Sequence, residues 1–379
     1  MVWNIQLADV VFGREEEEAV LRVLRSGWLT QGEVTAAFEK EFANLVGTAH
    51  GIAVSSGTAA LTLALAALDA PPGSEVIVPS LTFVATASAA VAAGLVPVFA
   101  DVVSQDDLTL NPQDVAQRLT EKTVAVIPVH YAGYAADIAG LKSVTSVAII
   151  EDCAHAPGAC GSTGDGQHGS VGGLGDVGCF SFFSNKNITV GEGGMLTTDN
   201  GDLAATLRLL RSHSMTTNTW TRHQGHVFSY DVARPGWNFR IDEMRSALGR
   251  CQLARLSELN ARRVLLVHRY IQMFRKASID GLAVPFSEQE TSAPHLQVVL
   301  LPEGLDRGTV MANLRERGIQ SSIHYPPAHR FQCYYRPEVS QLPVTDSVSS
   351  RLLTLPLHPN MSKTDVDQVV EVLTAAIVG

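Results

Sequence analysis

Apolar positions along this chain repeat with two periods, and the mixture of the two changes character near residue 240. Residues 15–26 and 34–46 carry them at helical spacing (Val20, Leu21, Leu24; then Phe38, Phe42, Leu45), and Gly27 and Gly47 follow as C-cap glycines. Between residues 51 and 150 the pattern alternates. Short β-branched runs at 51–54, 75–78, 96–99, 124–129 and 147–150 are separated by Ala/Leu-rich helical stretches at 58–68, 82–93, 112–119 and 137–143. That rhythm predicts βαβ units, hence an α/β fold with a mostly parallel sheet and helices on both faces. From 241 to 276 the chain has no proline and a single glycine. As a helix this stretch would span ~50 Å, which suits a connection between domains better than a core element. Beyond it the pattern predicts a strand (295–301), a helix (308–317), an irregular Pro/His/Tyr segment and a closing helix (363–377). The expected division is a large domain over 1–249 and a smaller α+β domain over 250–379.

Composition narrows the class of protein. The chain has 379 residues, 46% of them hydrophobic and 17% charged, as in an ordinary globular protein. Its net charge of -10, without any dense Lys/Arg cluster, argues against a nucleic-acid surface. The five cysteines (153, 160, 179, 251, 333) form no C-x-x-C pair or zinc-ligand spacing, which suits a reducing compartment and predicts no metal site. The N-terminal stretch lacks the basic and apolar regions of a signal peptide, and no apolar run approaches a membrane span. The expectation is a soluble, cytoplasmic protein.

Candidate chemistry centres on residues 178–194, GCFSFFSNKNITVGEGG. Lys186 stands there between an apolar strand-like run and a glycine-rich turn. Most lysines are solvated surface residues, but burial depresses the amine's pKa and makes it a nucleophile or imine-former. Ser55-Ser56-Gly57-Thr58 follows a strand and opens a helix, which describes either an anion site or a plain N-cap. The buried strand 147–150 leads into Glu151-Asp152, at the strand end where ligands of open α/β sheets bind; an acid there is a functional group or another N-cap. His155 lies three residues on, close enough to share a face with Asp152. Alternation along the strand sends Ser181 away from Phe180 and Phe182. Each feature has a structural explanation of its own, but together they describe the recognition of pyridoxal phosphate (PLP). A helix start and a hydroxyl meet its phosphate, a carboxylate meets its ring nitrogen, and a lysine meets its aldehyde.

The sequence resembles the DegT/DnrJ/EryC1/StrS aminotransferases, fold type I PLP enzymes acting on keto-sugars and cyclitols. The likeness rests on VSSGTAAL (54–61), PSLTFVATASA (79–89), PVFADV (97–102), IPVHYAG (127–133), EDCAHAPGA (151–159), FSFFSNKNITVGEGG (180–194) and GWNFRIDEM (236–244). It implies that Lys186 holds the cofactor as an imine and that Asp152 pairs with the protonated ring nitrogen, with His155 close by. It further places Phe83 on the face of the ring and Gly57, Thr58, Ala59 and Ser181 around the phosphate. Asn238 would reach the phosphate of the neighbouring subunit's cofactor, implying a homodimer with shared active sites. His324, Tyr325 and His329 fall in the segment that closes over the substrate. Two departures stand out: Ser184-Asn185 replaces the Pro-Thr pair common before the lysine, and 212–232 is longer than in the shortest relatives. In that segment Trp220, Arg222, His223, His226 and Tyr230 are candidate substrate contacts.

The implied reaction moves an amino group from glutamate or glutamine to a keto-sugar, nucleotide-linked or free, or to a keto-cyclitol. The cofactor would cycle between PLP and pyridoxamine phosphate (PMP). A sugar dehydratase is the nearest rival, but related dehydratases carry histidine where this chain has Lys186. A regulatory cofactor-binding protein without turnover is the other alternative, disfavoured by the intact set of lysine, acid and phosphate-binding residues. A nicotinamide dehydrogenase would need G-x-G-x-x-G where SSGTAAL stands.

Overall fold

The computed structural model of the protein describes residues 3–216, 231–291, 293–335 and 341–379. Helices α1 (Arg14–Ser26) and α2 (Glu33–Val46) lead into the alternation expected from the sequence: β1 (His50–Val54), α3 (Gly57–Ala66), β2 (Glu75–Pro79), α4 (Ala85–Ala92), β3 (Val96–Ala100), α5 (Pro112–Arg118), β4 (Thr123–Val126), α6 (Ile138–Val144) and β5 (Ala148–Asp152). A small hairpin of β6 (Cys160–Ser162) and β7 (His168–Ser170) precedes β8 (Val177–Ser181), β9 (Gly194–Thr198) and α7 (Gly201–Arg211). Seven strands form one sheet in the order β1-β9-β8-β5-β4-β2-β3, parallel except for β9, which runs antiparallel to both its neighbours.

Strand alternation divides the sheet's side chains between two cores. Ile52, Val76, Val78, Ile150 and Leu196 pack against α3 and α7, while Ile77, Val126, Ile149 and Phe180 pack against Phe38 and Phe42 of α2. Consecutive residues such as Ile149 and Ile150 therefore enter opposite layers, as the period of two demands. The long helix α8 (Glu243–Ala277) gives Leu256 to the second of these cores. Its later residues Leu266, Tyr270 and Phe274 enter a separate core with β10 (Gln297–Leu300), α9 (Arg307–Glu316), β11 (Leu352–Leu355) and α11 (Lys363–Val378). Ile5, near the start of the chain, joins that core through a bridge to Ile319. Helix α10 (Pro343–Ser349) precedes β11.

Three differences from the expected elements have physical reasons. Strand β4 stops at Val126 rather than 129, because Pro128 has no N–H for the ladder; its carbonyl instead accepts the Asp152 N–H at 2.8 Å. Helix α4 begins at Ala85 rather than 82. The preceding residues are held by tertiary bonds, with Ser80 donating to the Ala100 carbonyl and accepting from the Ala328 N–H. Strands β9 and β11, helices α7 and α10 and the β6–β7 hairpin have no counterpart among the expected elements. β9 is built of Gly, Met, Leu and Thr and is buried on both faces, so no alternation marks it.

Candidate active site

The parallel strands direct their carboxyl ends to one edge of the sheet, the place where such folds bind ligands. Asp152 closes β5 and Ser181 closes β8, while Ser56 follows β1 by two residues and Thr82 and Phe83 follow β2. These residues, with Lys186, line a cavity of about 380 Å³. Of the residues expected from the sequence, Gly57, Thr58, Phe83, Asp152, His155, Ser181, Lys186, His324 and Tyr325 all reach it. Three do not. Ala59 is buried and its N–H donates to Ser56 Oγ (3.1 Å), completing an ordinary helix cap. Asn238 is exposed outside the cavity, paired through its backbone with Ser212. His329 is buried away from the cavity, its Nδ1 2.6 Å from Ser80 Oγ and its Nε2 3.3 Å from Asp346. Trp220, Arg222, His223, His226 and Tyr230 lie outside the described residues.

The loop that presents Lys186 is folded back on itself. After β8 the Phe182 N–H bonds to the Gly193 carbonyl, and the Val190 N–H returns to Phe182. A Cβ at Gly194 would lie 2.6 Å from the Ser56 backbone, so only glycine allows this turn to press against the start of α3. The adjacent Asn187 is buried and acts as a clamp. Its amide donates to Asn260 Oδ1 on α8 (2.9 Å) and to the Pro294 carbonyl, and its oxygen accepts from His295 Nδ1 (3.0 Å). The backbone bearing the lysine is thereby tied to α8 and to the segment that leads into β10. Asn187 was not legible as functional in the sequence, where its partners lie at least 73 positions away.

Electrostatics distinguish the two central groups. The Lys186 amine is lowered from 10.5 to about 8; burial is the larger cause, and the charge of Asp152 opposes it. Burial pushes the Asp152 carboxyl up, against the pull of the Ala154 N–H, the Thr86 hydroxyl, and the Lys186 and His130 charges. His155 is held well below its ordinary value, chiefly by burial. Its Nδ1 accepts the Ala132 N–H (3.2 Å), so a neutral ring donates from Nε2 to the Tyr325 hydroxyl (2.9 Å). Tyr131 donates to the His324 carbonyl, and the rings of His155 and His295 lie 4.5 Å apart.

Glu151 supports this arrangement from beneath. Its carboxylate accepts the N–H groups of Gly172 (3.0 Å), Leu174 (2.9 Å) and Gly175 (2.6 Å), and His130 donates to it from Nε2 (2.9 Å). His130 Nδ1 accepts the Ala136 N–H. The ligand atoms of His130, Glu151 and Cys153 lie within 4.8 Å of one another, but those of the first two are committed to these bonds. The pair is a brace that holds the end of β5 rather than a metal centre.

Residues 11–374 match the DegT/DnrJ/EryC1/StrS aminotransferase family. The chain belongs to this family. Solved structures agree over the whole length. An aminotransferase of Helicobacter pylori involved in the biosynthesis of pseudoaminic acid, PseC, is 26% identical, with all of both chains covered and a TM-score of 0.90. The aminotransferase TlmJ of Streptoalloteichus hindustanus is 30% identical over 99% of each chain, with a TM-score of 0.89. The sugar aminotransferase Spr1654 of Streptococcus pneumoniae, described as putative and solved in its PMP form, is 27% identical over 99% of each chain, with a TM-score of 0.88.

The protein is thus a PLP-dependent aminotransferase of the fold the sequence predicted. Its cavity suits the cofactor on structural grounds. A Cβ at Gly57 would lie 2.8 Å from Ser181 Cβ, so the helix start and the serine form one narrow cradle. A helix N-terminus is a favourable seat for phosphate. At the other end the buried Asp152 can accept a hydrogen bond from a ring nitrogen, and Lys186 stands in the same cavity. Among the described residues, no helix is long and apolar enough to cross a membrane.

Proposed function

We propose that this family member transfers an amino group from glutamate or glutamine to a keto-sugar, most simply a nucleotide-linked one, with Lys186 as its covalent anchor and proton carrier. One observation carries the reading: a lysine with its amine lowered to about 8 shares a single cavity with a buried carboxylate and a helix-start cradle. When bound, PLP would supply an electron sink for the bond broken at the donor's α-carbon. The chain's own groups do the rest.

Lys186 would hold the cofactor through its Nζ and, as a free amine, would serve as a general base close to neutral pH. An amine with a pKa near the working pH can both take the α-proton and return it to a neighbouring carbon. Asp152 keeps the ring nitrogen protonated by placing a fixed negative charge beside it. Gly57, Thr58 and Ser181, which line one part of the cavity, would bind the phosphate, and Phe83 would cover the ring. The sugar would enter past Phe83, His324 and Tyr325. An acceptor among sugars is supported by what the similar structures are described as acting on, including pseudoaminic acid biosynthesis.

A homodimer with shared sites is part of the proposal. Asn238 is exposed and lies outside its own chain's cavity, as a residue serving a neighbour's phosphate should. We place the domain division within α8, and the site in a reducing cytoplasm.

The test is the Lys186→Ala variant. It should bind PLP without a bond that borohydride can trap and lose at least ~10³-fold in turnover, from the loss of both covalent and proton-transfer roles. Retained turnover would remove the mechanism. Mixing the wild-type PMP form with a panel of keto-sugars and keto-cyclitols, followed by absorbance, identifies the acceptor.

A further inference from the structure

Two threonines, Thr82 in the cavity wall and Thr86 behind it, form an ordered chain of hydroxyls that ends on Asp152. Thr86 Oγ1 lies 3.0 Å from Asp152 Oδ2, and Thr82 Oγ1 lies 2.8 Å from Thr86 Oγ1. Thr86 is fully buried and Thr82 is 1% exposed, so neither hydroxyl is there for solvent. An ionised carboxylate can only accept, and a threonine hydroxyl has one proton. Thr86 must therefore donate to Asp152, which leaves its lone pairs to accept the proton of Thr82. The direction of the whole chain follows from the charge at its end.

The geometry is not a by-product of helix formation. A threonine inside a helix commonly bonds the carbonyl four residues back. Thr86, the second residue of α4, instead reaches a carboxylate 66 positions away in sequence. The other donor to the Asp152 side chain among the described residues is the Ala154 N–H, at 3.2 Å to Oδ1. One hydroxyl and one amide thus hold the two oxygens. Hydrogen bonds to the charged form favour it over the neutral acid. Thr82 also lines the cavity.

We propose that Thr86 is a positioning residue that keeps Asp152 ionised and aimed at the cofactor's ring nitrogen, with Thr82 orienting and polarising the Thr86 hydroxyl. The inference rests on Asp152 facing that nitrogen. It adds that the aspartate's charge depends on a relay from Thr82, in the loop between β2 and α4, through Thr86 in the first turn of α4. Phe83 belongs to the same loop, so ring contact and ring protonation are carried by one segment.

The experiment uses the full-length protein loaded with PLP labelled with ¹⁵N at the pyridine nitrogen. It measures the nitrogen's chemical shift against pH, PLP affinity and the separate values of kcat and KM. Thr86→Val, nearly isosteric, should move the nitrogen toward its neutral shift, weaken PLP binding and lower kcat by about 10- to 100-fold, the range for a hydrogen bond to a charged group. KM for the amino donor should change little. Thr86→Ser should restore all three readouts to within about threefold, because it returns the donor. Thr82→Val, which keeps Thr86, should shift the nitrogen in the same direction by less.

A folded Thr86→Val protein with the wild-type nitrogen shift and kcat overturns the inference. If Thr86→Val does not fold, Thr82→Val decides, and an unchanged nitrogen titration there also overturns it. Asp152→Asn separates the two levels. If that variant leaves the nitrogen signal unmoved, the placing of Asp152 fails. If it moves the signal and the threonine variants do not, only the relay fails.

Discussion

The floor and the mouth of the cavity are built in opposite ways. On the floor Asp152 and His155, with Asn187 and the Glu151–His130 pair supporting them, are buried, and each has its polar atoms bound to named partners. At the mouth Phe83 is 56% exposed and Phe183 44%. Glu192 is also exposed there, with no hydrogen-bond partner among the described residues. A buried polar group left unpaired costs about 1–3 kcal/mol, so the floor has to be completed by the chain that builds it. An exposed group carries no such penalty and can wait for substrate or a second subunit. One chain thus completes the floor by itself, while the exposed groups of the rim are left without such bonds; in the proposed reading they meet the acceptor.

Three measurements probe that contrast beyond the loss of Lys186. The largest effect belongs to the floor. Asp152→Asn should keep the fold, because an amide with its oxygen on the Ala154 N–H and its NH2 on Thr86 Oγ1, which can turn to accept, retains both contacts, yet lower kcat by about 10²–10³-fold, the usual cost of removing one electrostatic partner. A turnover within a few-fold of wild type would mean the floor's charge is not used.

An intermediate effect should appear in the pH dependence of the apo protein. Lys186 is held at about 8 in the folded chain against 10.5 as a free side chain. Below the lower value both states carry the proton. Between the two values the unfolded chain retains a proton that the folded one has lost, so stability rises with pH across that window. Denaturant midpoints of wild type should therefore climb relative to Lys186→Met from pH 8 to pH 10. A constant difference between the two proteins would show that the amine is not held in a dry site.

The smallest effect belongs to the mouth. Phe83→Leu keeps an apolar cover and should weaken PLP binding by only about threefold to tenfold, the loss of an aromatic stacking increment. Its influence on discrimination between keto-sugars should exceed its influence on folding stability, which should stay within about 0.5 kcal/mol for an exposed position. A large stability loss would place Phe83 with the floor.

Much of the fold and the centre of the site could be read from local pattern. Alternating strands and helices carry their periodicity in consecutive residues, so β1 to β5, the helices between them and α8 were legible. Asp152, Gly57 and Ser181 were too, since each sits at the end of an element that its neighbours define, while Lys186, in the loop after β8, was marked by its apolar and glycine-rich flanks. Strand β9 was not, because a strand buried on both faces has no alternation. Thr86, Asn187, Glu151 and His130 were equally hidden as a supporting set. Their meaning lies in partners 66, 73 and 21 positions away, and a sequence window records only what stands nearby. His329 makes the same point in reverse. Its motif placed it beside the substrate segment, but the packing of Ala328 and His329 on Ser80 turned its ring into the seam between β2 and α10. Residue type and spacing thus decided which chemistry the chain can perform, since those depend on atoms the residues themselves carry. Which groups support that chemistry was left to long-range packing, because burial and hydrogen-bond satisfaction exist only once distant segments meet.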